Sequence, residues 1–294
     1  MNYINYDFVS KRTNKRLFLN IAFKFLFFLS TIFALIVLGI LIYRVVIQSI
    51  GWLDLQFLTS KLSMFAEKAG IKGVIIGTLW LMAVVTPVTL FLGVGTAIYL
   101  EEYAKKGKVQ AFIQTNITNL AGVPSVIFGL LGLTVFARMF HLGSSILAGG
   151  LTMSLLVLPI VVVASQESIR AVPSFLREAS YGMGATKWQT IKNIVLPAAL
   201  PGILTGVILA LSRAIGETAP LVVLGIPALL LPVPDGIMDN FSALPIQIYY
   251  WTIDSVLTKE YANLAAATIV VLLLVLFIMN SVAILIRNKF QKRY

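Results

Sequence analysis

The sequence predicts an all-α, polytopic membrane protein with six transmembrane helices. Apolar residues make up 59% of the chain and charged residues only 12%, whereas charged residues make up about 25% of an ordinary soluble domain. Six apolar stretches are each long enough to cross about 30 Å of hydrocarbon at about 1.5 Å per helical residue. The Lys and Arg residues are concentrated in alternate connections between these stretches, as expected when a chain crosses a membrane repeatedly.

The first span follows a basic N-terminal segment. Four cations at positions 11–16 precede an apolar run that lasts to about Val46. A signal peptide has the same order, but its apolar region is only about 7 to 15 residues long and ends at a small-residue cleavage site, which does not follow here. We therefore predict a retained transmembrane helix, followed at 49–70 by an external loop with a short helix.

The second, third and fourth spans contain residues that interrupt a helix or avoid lipid. They are predicted at about 72–100, 112–137 and 145–164. Pro87 lies inside the second span, where neighbouring helices can satisfy the backbone group that a proline leaves free. The first half of the third span contains Asn116 and other polar side chains, so it is too polar to face lipid.

The fifth span is predicted at about 198–224 and the sixth at about 264–286. Between them lies a Pro-rich, acidic external loop at 226–262. An aromatic triplet that begins at Tyr249 lies within the loop and is typical of a membrane-interface belt.

We expect the chain to have two parts. Residues 1–70 comprise the N-terminal cytoplasmic tail, the first span and the external loop. Residues 71–294 comprise a core with the other five spans, a polar segment at 170–197 and the external loop at 226–262.

The positive charges orient the spans. Sixteen of the 23 Lys and Arg residues fall on one side of the membrane and six on the other, with Arg213 inside the fifth span. The sixteen are Lys11, Arg12, Lys15, Arg16, Lys24, Lys105, Lys106, Lys108, Arg170, Arg177, Lys187, Lys192, Arg287, Lys289, Lys292 and Arg293. Because cytoplasmic connections carry the excess of Lys and Arg, both termini and the polar segment are assigned to the cytoplasm. The net charge of +11 therefore reflects topology and does not indicate a nucleic-acid-binding patch.

Composition also excludes several kinds of chemistry. The chain has no cysteine and one histidine, His141. It therefore has no disulfide and no thiolate metal site, and a single histidine cannot by itself build a zinc or haem site. We predict that His141 is a loop residue, and no metal site is expected.

The fifth span carries two charged residues, Arg213 and Glu217. Arg213 lies about 22 Å along the helix from Ala198, beyond the midpoint toward the outside, and Glu217 is one turn further on the same face. A charged residue at a helix centre costs about 2.5 to 3.5 kcal/mol, so both side chains should point into the protein. One interpretation is an ion pair that only fixes packing. The other is an anion site, because a guanidinium can hold a tetrahedral oxyanion through two parallel hydrogen bonds.

Glu217 has two possible roles in an anion site. It could hold Arg213 when the site is empty, or it could accept a hydrogen bond from a protonated anion. The second role would favour hydrogen phosphate over sulfate, which has no proton to donate near neutral pH.

The polar segment is predicted to form two short helices that are broken at Gly182 and Gly184. Thr186 and Gln189 have the spacing of a capping box that opens the second helix. The apolar side chains that recur at helical spacing on this helix are Ala185, Trp188, Ile191 and Val195. Such an amphipathic helix needs a partner surface, and lipid headgroups are one candidate.

The same segment resembles the EAA loop of ABC importer permeases. The matching positions are Glu178, Ala179, Gly184, Ile194, Leu196 and Pro197, and Ser180 stands where the second alanine would be. The resemblance implies that the loop is a cytoplasmic coupling helix that docks in a groove of an ATPase subunit. It implies this role for Glu178, Gly184 and Trp188 in particular.

Three further stretches resemble the PstA family of phosphate-transport permeases. They are YLEEYAKKGK at 99–108, NLAGVPSVIFGLLGL at 119–133 and SRAIGETAPLVVLG at 212–225. The resemblance implies a type I ABC importer permease in the inner membrane of a bacterium or archaeon. It also implies a PstC-like permease as heterodimer partner, two copies of a cytoplasmic ATPase and an external phosphate-binding protein. This chain has no G-x-x-x-x-G-K-[ST] motif, so we expect ATP and Mg²⁺ on the ATPase and no enzymatic activity here.

Rival classes share part of this pattern. A permease for sulfate or molybdate would share the EAA-like loop, and only residues 213–220 separate it from a phosphate permease. A secondary transporter or channel would also need six helices and an intramembrane arginine, but it has no use for that loop. A membrane enzyme is disfavoured because no histidine cluster, acidic pair or cysteine lies in a span.

Overall fold

Helices account for almost all of the regular structure. The computed structural model describes residues 6–227 and 231–290, and within them the only β pairing is a single bridge between Ser145 and Asn240. The helices are α1 (Tyr6–Ser49), α2 (Leu55–Thr59), α3 (Lys72–Ile98), α4 (Lys108–Leu120), α5 (Ser125–Leu131), α6 (Ile146–Arg170), α7 (Ser174–Gly182), α8 (Lys187–Thr190), α9 (Leu196–Gly216), α10 (Ala219–Val223), α11 (Leu244–Asp254) and α12 (Glu260–Phe290). The all-α prediction is confirmed.

Two units can be distinguished, Met1–Ile50 and Gly51–Tyr294. The first consists of α1, in which Arg16–Ser49 is apolar and long enough to cross a membrane. A single uninterrupted helix agrees with the predicted retained span. The predicted cations Lys292 and Arg293 lie outside the described residues.

The core of the second unit is formed by α3, α6 and α9. Buried side chains of α6, such as Val157 and Val161, belong to the same apolar cluster as Ile203 of α9 and Val85 of α3. Small residues let the helices approach closely, as is usual in membranes. A Cβ atom at Gly93 would lie 2.6 Å from Val161 Cγ1, so α3 and α6 could not keep this separation with a larger residue there.

The third predicted span, 112–137, is not one straight helix. Lys108–Leu120 and Ser125–Met139 form a pair that is bent by 106°. The bend lies at a proline, Pro124, which cannot donate a backbone hydrogen bond and disfavours helical geometry in the residue before it. By length and composition, the described residues contain five helices able to cross a membrane, or six if the bent pair is one span.

The fifth predicted span, 198–224, also has different bounds. The helix begins already at Lys187 and continues to Gly216, with a wide π-type turn at Ile191–Val195. Pro197, which lacks a backbone donor, lies two residues beyond this turn. The helix ends because Glu217 is extended, with φ −79° and ψ 123°. The predicted second short helix and the fifth span are therefore one element.

The segment 51–71 and the helices α11 and α12 share a second apolar cluster. Phe57, Trp251 and Leu264 are among its buried members, and the rings of Phe57 and Trp251 are 6.1 Å apart. The predicted short helix at 49–70 is present as α2. The interpretation of the aromatic triplet as an interface belt is wrong for Trp251, because its ring packs inside the protein.

Candidate functional site

The two charged residues of the fifth span contact each other. Arg213 Nε donates to Glu217 Oε1 at 3.1 Å, and the side chains are 52% and 20% exposed. Arg213 lies in the last turn of α9, and Glu217 is the first residue beyond it. Among the described residues, Nε is the only atom of this guanidinium that makes a hydrogen bond. Its two terminal nitrogens, which form the fork that suits an oxyanion, are therefore open to a ligand.

The break after α9 is held in place by close packing against the bent pair. A Cβ atom at Gly129 of α5 would lie 2.9 Å from Pro220 Cα of α10, so the two short helices touch through backbone. Ala214 and Ile215 are buried on the other side of α9. The Arg213 side chain is 52% exposed, so the prediction that it points into the protein is wrong within this chain.

A polar contact between spans lies one residue before Arg213. Ser212 Oγ is 2.7 Å from Asn280 Oδ1 of α12. The sequence reasoning missed both residues. An asparagine in the middle of the apolar helix α12 was the available signal, because polar residues inside spans mark pairing partners or pathways.

The polar segment contains the predicted capping box. Thr186 N donates to Gln189 Oε1 at 2.8 Å, and Gln189 N donates to Thr186 Oγ1 at 3.4 Å. Gly184 has φ +82°, a left-handed conformation that favours glycine. This residue makes the sharp turn between α7 and the following helix.

Ser180, the residue that departs from the EAA pattern, joins the two helices. Its Oγ lies 2.9 Å from Thr190 Oγ1, and both side chains are buried. An alanine at position 180 could not make this contact. The departure is therefore more than a small residue that permits close packing.

The polar segment presents an exposed face, which we define as Phe175, Glu178, Ala179, Met183 and Trp188. All five residues are exposed, and Trp188 is 56% exposed. Gly184 is exposed beside them. An exposed surface that combines a carboxylate with large apolar side chains is typical of a contact site for another protein.

The remaining two predicted coupling residues lie elsewhere. Leu196 and Pro197 are half-buried at the beginning of α9. They lie within the long helix that begins at Lys187, so the structure does not bring them to the exposed face.

Acidic residues at the end of the second span contact the polar segment. The helix α3 continues as a wide turn over Tyr99–Tyr103, in which Glu101 pairs with Arg170 at 2.7 Å and Glu102 with Arg177 at 2.9 Å. The sequence reasoning used these glutamates only for the family resemblance. Two adjacent carboxylates in an otherwise basic connection were the signal for ion pairs.

Comparison with protein families gives one match over most of the chain. Residues 89–292 match the family described as "Binding-protein-dependent transport system inner membrane component". The match includes the polar segment, the Arg213 and Glu217 pair and all of α12.

Individual relatives include two bacterial permeases. The chain is 36% identical over 229 residues to "Phosphate transport system permease protein PstA 1" of Mycobacterium tuberculosis (strain CDC 1551 / Oshkosh), covering 76% of this chain and 74% of that one. It is also 36% identical over 192 residues to "Probable ABC transporter permease protein YqgI" of Bacillus subtilis (strain 168), covering 65% of each chain.

A solved structure shows the same fold. A chain of a bacterial ABC transporter involved in the import of the acidic polysaccharide alginate matches with a TM-score of 0.60 and 19% identity. The match covers 94% of this chain and 100% of that chain. Likeness at this level of identity concerns the arrangement of the helices and not the substrate.

Proposed function

This chain belongs to the family of inner membrane components of binding-protein-dependent transport systems, and on that premise we propose that it is the permease of an ATP-driven importer of inorganic phosphate. It is a multi-pass membrane protein of the ABC importer permease class. Its PstA relatives support phosphate as the substrate. The observation that carries the proposal is the Arg213 guanidinium near the end of a span, with its terminal nitrogens open.

The substrate pathway is proposed to pass Arg213 and Glu217. The guanidinium fork would hold two oxygens of the phosphate, and the single bond through Nε would keep the fork oriented while the site is empty. Glu217 would accept a hydrogen bond from hydrogen phosphate. Sulfate near neutral pH carries two charges and no proton, so it would meet an unpaired carboxylate.

A second permease of the PstC type is the proposed partner within the membrane. Arg213 is 52% exposed on this chain, and a charged group within a span that faces lipid is costly. All side chains of α4 are exposed or half-buried, including the polar Asn116 and Asn119. A partner subunit or a water-filled path would cover these groups.

The ATPase would drive transport by binding the exposed face of the polar segment. We propose that each permease presents such a face to one copy of a cytoplasmic ATPase, which makes two copies per complex. Glu178, Ala179, Gly184 and Trp188 would form the contact, while Leu196 and Pro197 would shape the helix that leads from it into the membrane. ATP and Mg²⁺ would be bound by the ATPase, so this chain itself would catalyse no reaction.

The complex would lie in the inner membrane of a bacterium or archaeon and receive phosphate from an external binding protein. This proposal requires the polar segment to be in the cytoplasm. The chain contains no cysteine, so Trp188→Cys would introduce a single thiol. We expect a membrane-impermeant maleimide to label it only from the cytoplasmic side, and labelling from outside would contradict the proposal.

The direct test is purification of the tagged chain with its natural partners, followed by reconstitution into liposomes. We expect ATP hydrolysis that is stimulated by the phosphate-loaded binding protein, and phosphate uptake that vanadate inhibits. Stimulation by sulfate or molybdate instead would identify a permease for another oxyanion. A chain that purifies alone and moves phosphate without ATP would be a channel or secondary transporter.

A further inference from the structure

Two consecutive acidic residues tie the end of the second span to the polar segment. Glu101 accepts two hydrogen bonds from Arg170, from Nη2 to Oε1 at 2.7 Å and from Nε to Oε2 at 2.8 Å. Glu102 Oε1 accepts two from Arg177, from Nη2 at 2.9 Å and from Nε at 3.1 Å. Arg170 ends α6 and Arg177 lies in α7, so the end of α3 is held to both sides of the connection between α6 and α7.

Arg177 is the junction of this cluster. Besides Glu102, it donates through Nη1 to the carbonyl of Val172 at 2.7 Å and through Nη2 to that of Ile169 at 2.9 Å. Carbonyl groups at a helix end carry partial negative charge, so a cation is stabilised there. The side chains of Arg177 and Glu102 are only 20% and 8% exposed, which limits competition from water. Three elements therefore converge on one guanidinium.

The cluster extends to the bent third span through a pair of amides. Gln166 of α6 is buried, and its Nε2 donates to Glu101 Oε1 at 2.9 Å and to Gln114 Oε1 at 2.8 Å. Gln114 of α4 returns a hydrogen bond to Gln166 Oε1 at 3.1 Å. Four stretches that are separated in sequence, α3, α4, α6 and α7, are thus held in one hydrogen-bonded network.

We infer that this network is a linkage that makes the second, third and fourth spans follow movements of the polar segment. The inference rests on the proposed function, because α7 carries Glu178 and Ala179 of the face proposed to contact the ATPase, directly after Arg177. The chain itself connects α7 only to α6 and α8. The ion pairs add the end of α3, and the amides of Gln166 and Gln114 add α4. Glu102 and Arg177 are therefore positioning residues that touch no substrate.

The test compares Glu102→Gln with a matched control, Glu167→Gln. Glu167 also pairs with Arg170, at 2.9 Å, but it is 65% exposed and lies in the same helix, three residues earlier. Removing its charge therefore loosens no contact between spans. The measurement is phosphate imported per ATP hydrolysed by the reconstituted complex with its external binding protein.

We expect Glu102→Gln to lower the transport ratio by about tenfold, a common size for coupling between sites, with ATP hydrolysis largely retained. Glu167→Gln should leave the ratio unchanged. An unchanged ratio in Glu102→Gln, or an equal loss in both variants, would overturn the inference.

A double-mutant cycle tests whether Glu102 and Arg177 act as a pair or have two unrelated structural roles. If Glu102 and Arg177 act through each other, the double variant Glu102→Gln/Arg177→Gln should have the same ratio as the more affected single variant, because interacting residues are not additive. Losses that multiply in the double variant would contradict the linkage, since they would show that each residue acts independently.

Hydrogen exchange in the assembled complex distinguishes failure of the linkage from failure of the proposed function, because it needs no substrate. Amides of α7 and of 99–103 should exchange faster in Glu102→Gln and not in Glu167→Gln. A wild-type complex that moves no phosphate would refute the proposed function, and this contrast would still test the linkage. If the complex transports phosphate but Glu102→Gln and Glu167→Gln show the same amide exchange, the linkage is refuted and the proposed function is not.

Discussion

The chain holds two arginines in opposite ways. Arg213, in the fifth span, makes one hydrogen bond to Glu217 at 3.1 Å and is 52% exposed. Arg177, in the polar segment, donates four hydrogen bonds and is 20% exposed. A guanidinium that donates through all three nitrogens is suited to fixing neighbours, whereas one held by a single nitrogen keeps the others for a ligand. The number of bonds thus indicates a structural role for Arg177 and supports the proposed binding role of Arg213.

Removing Arg177, which donates through all three nitrogens, should have the largest effect on stability. Arg177→Met leaves Glu102 buried without its partner, and such a loss costs about 3 to 5 kcal/mol. We expect a matching decrease in the free energy of unfolding, measured by denaturation of the purified chain in mixed micelles. Glu167→Gln is the control, because Arg170 and Glu167 are 47% and 65% exposed and an exposed pair contributes about 1 kcal/mol or less. Equal losses would contradict the distinction.

Removing the singly bonded arginine should affect transport and not stability. Arg213→Gln deletes the fork that would grip the anion, and loss of one charge-stabilising group in a preorganised site lowers rates by about 100-fold or more. We expect phosphate uptake by the complex to decrease on this scale while assembly is unchanged. Phosphate uptake by Arg213→Lys should fall between that of the wild type and that of Arg213→Gln, because an ammonium keeps the charge but lacks the planar fork. Wild-type uptake in Arg213→Gln would leave only the packing role for the pair.

Glu217 extends the comparison, because its proposed role is to discriminate phosphate from sulfate at Arg213. Glu217→Gln removes the charge and keeps the size, so an anion that has no proton to donate no longer faces a carboxylate that can only accept hydrogen bonds. We expect the preference for phosphate over sulfate to fall by about tenfold, equivalent to about 1.4 kcal/mol, measured by competition in uptake. An unchanged preference would assign Glu217 only to holding Arg213.

A further prediction concerns a neutral contact in the polar segment. Ser180→Ala leaves the buried Thr190 hydroxyl without this partner, at a cost of about 1 to 3 kcal/mol. The double variant Ser180→Ala/Thr190→Val removes both polar groups and should be closer to the wild-type unfolding free energy. If the double variant were less stable than Ser180→Ala, the hydrogen bond would not be the source of the loss.

Local rules predicted the features that depend on neighbouring residues. The capping box of Thr186 and Gln189 follows from spacing alone and is present as predicted. The ion pair of Arg213 and Glu217, one of the two interpretations of these residues, is also present, although Glu217 lies beyond the end of α9. The transmembrane character was equally accessible, because an apolar composition leaves few alternatives for a chain of this kind.

Features that depend on tertiary packing were not predictable in the same way. Pro124 marked an interruption in the third span, but the 106° bend depends on how α5 packs, including the contact of Gly129 with Pro220. The end of α9 at Gly216 was missed because the apolar pattern continues beyond it. The pairs of Glu101 and Glu102 join residues about 70 positions apart, which no local pattern reveals.

The helical span from Lys187 to Gly216, which includes the π-type turn, has a geometric consequence. Trp188 and Arg213 lie 25 residues apart on it, or about 38 Å at 1.5 Å per residue. If a helix of that length tilts as a rigid body by about 5° about its Trp188 end, the guanidinium moves by roughly 3 Å. That distance is comparable to a hydrogen bond, so a small rocking motion at one surface could open or close a grip on an anion near the other.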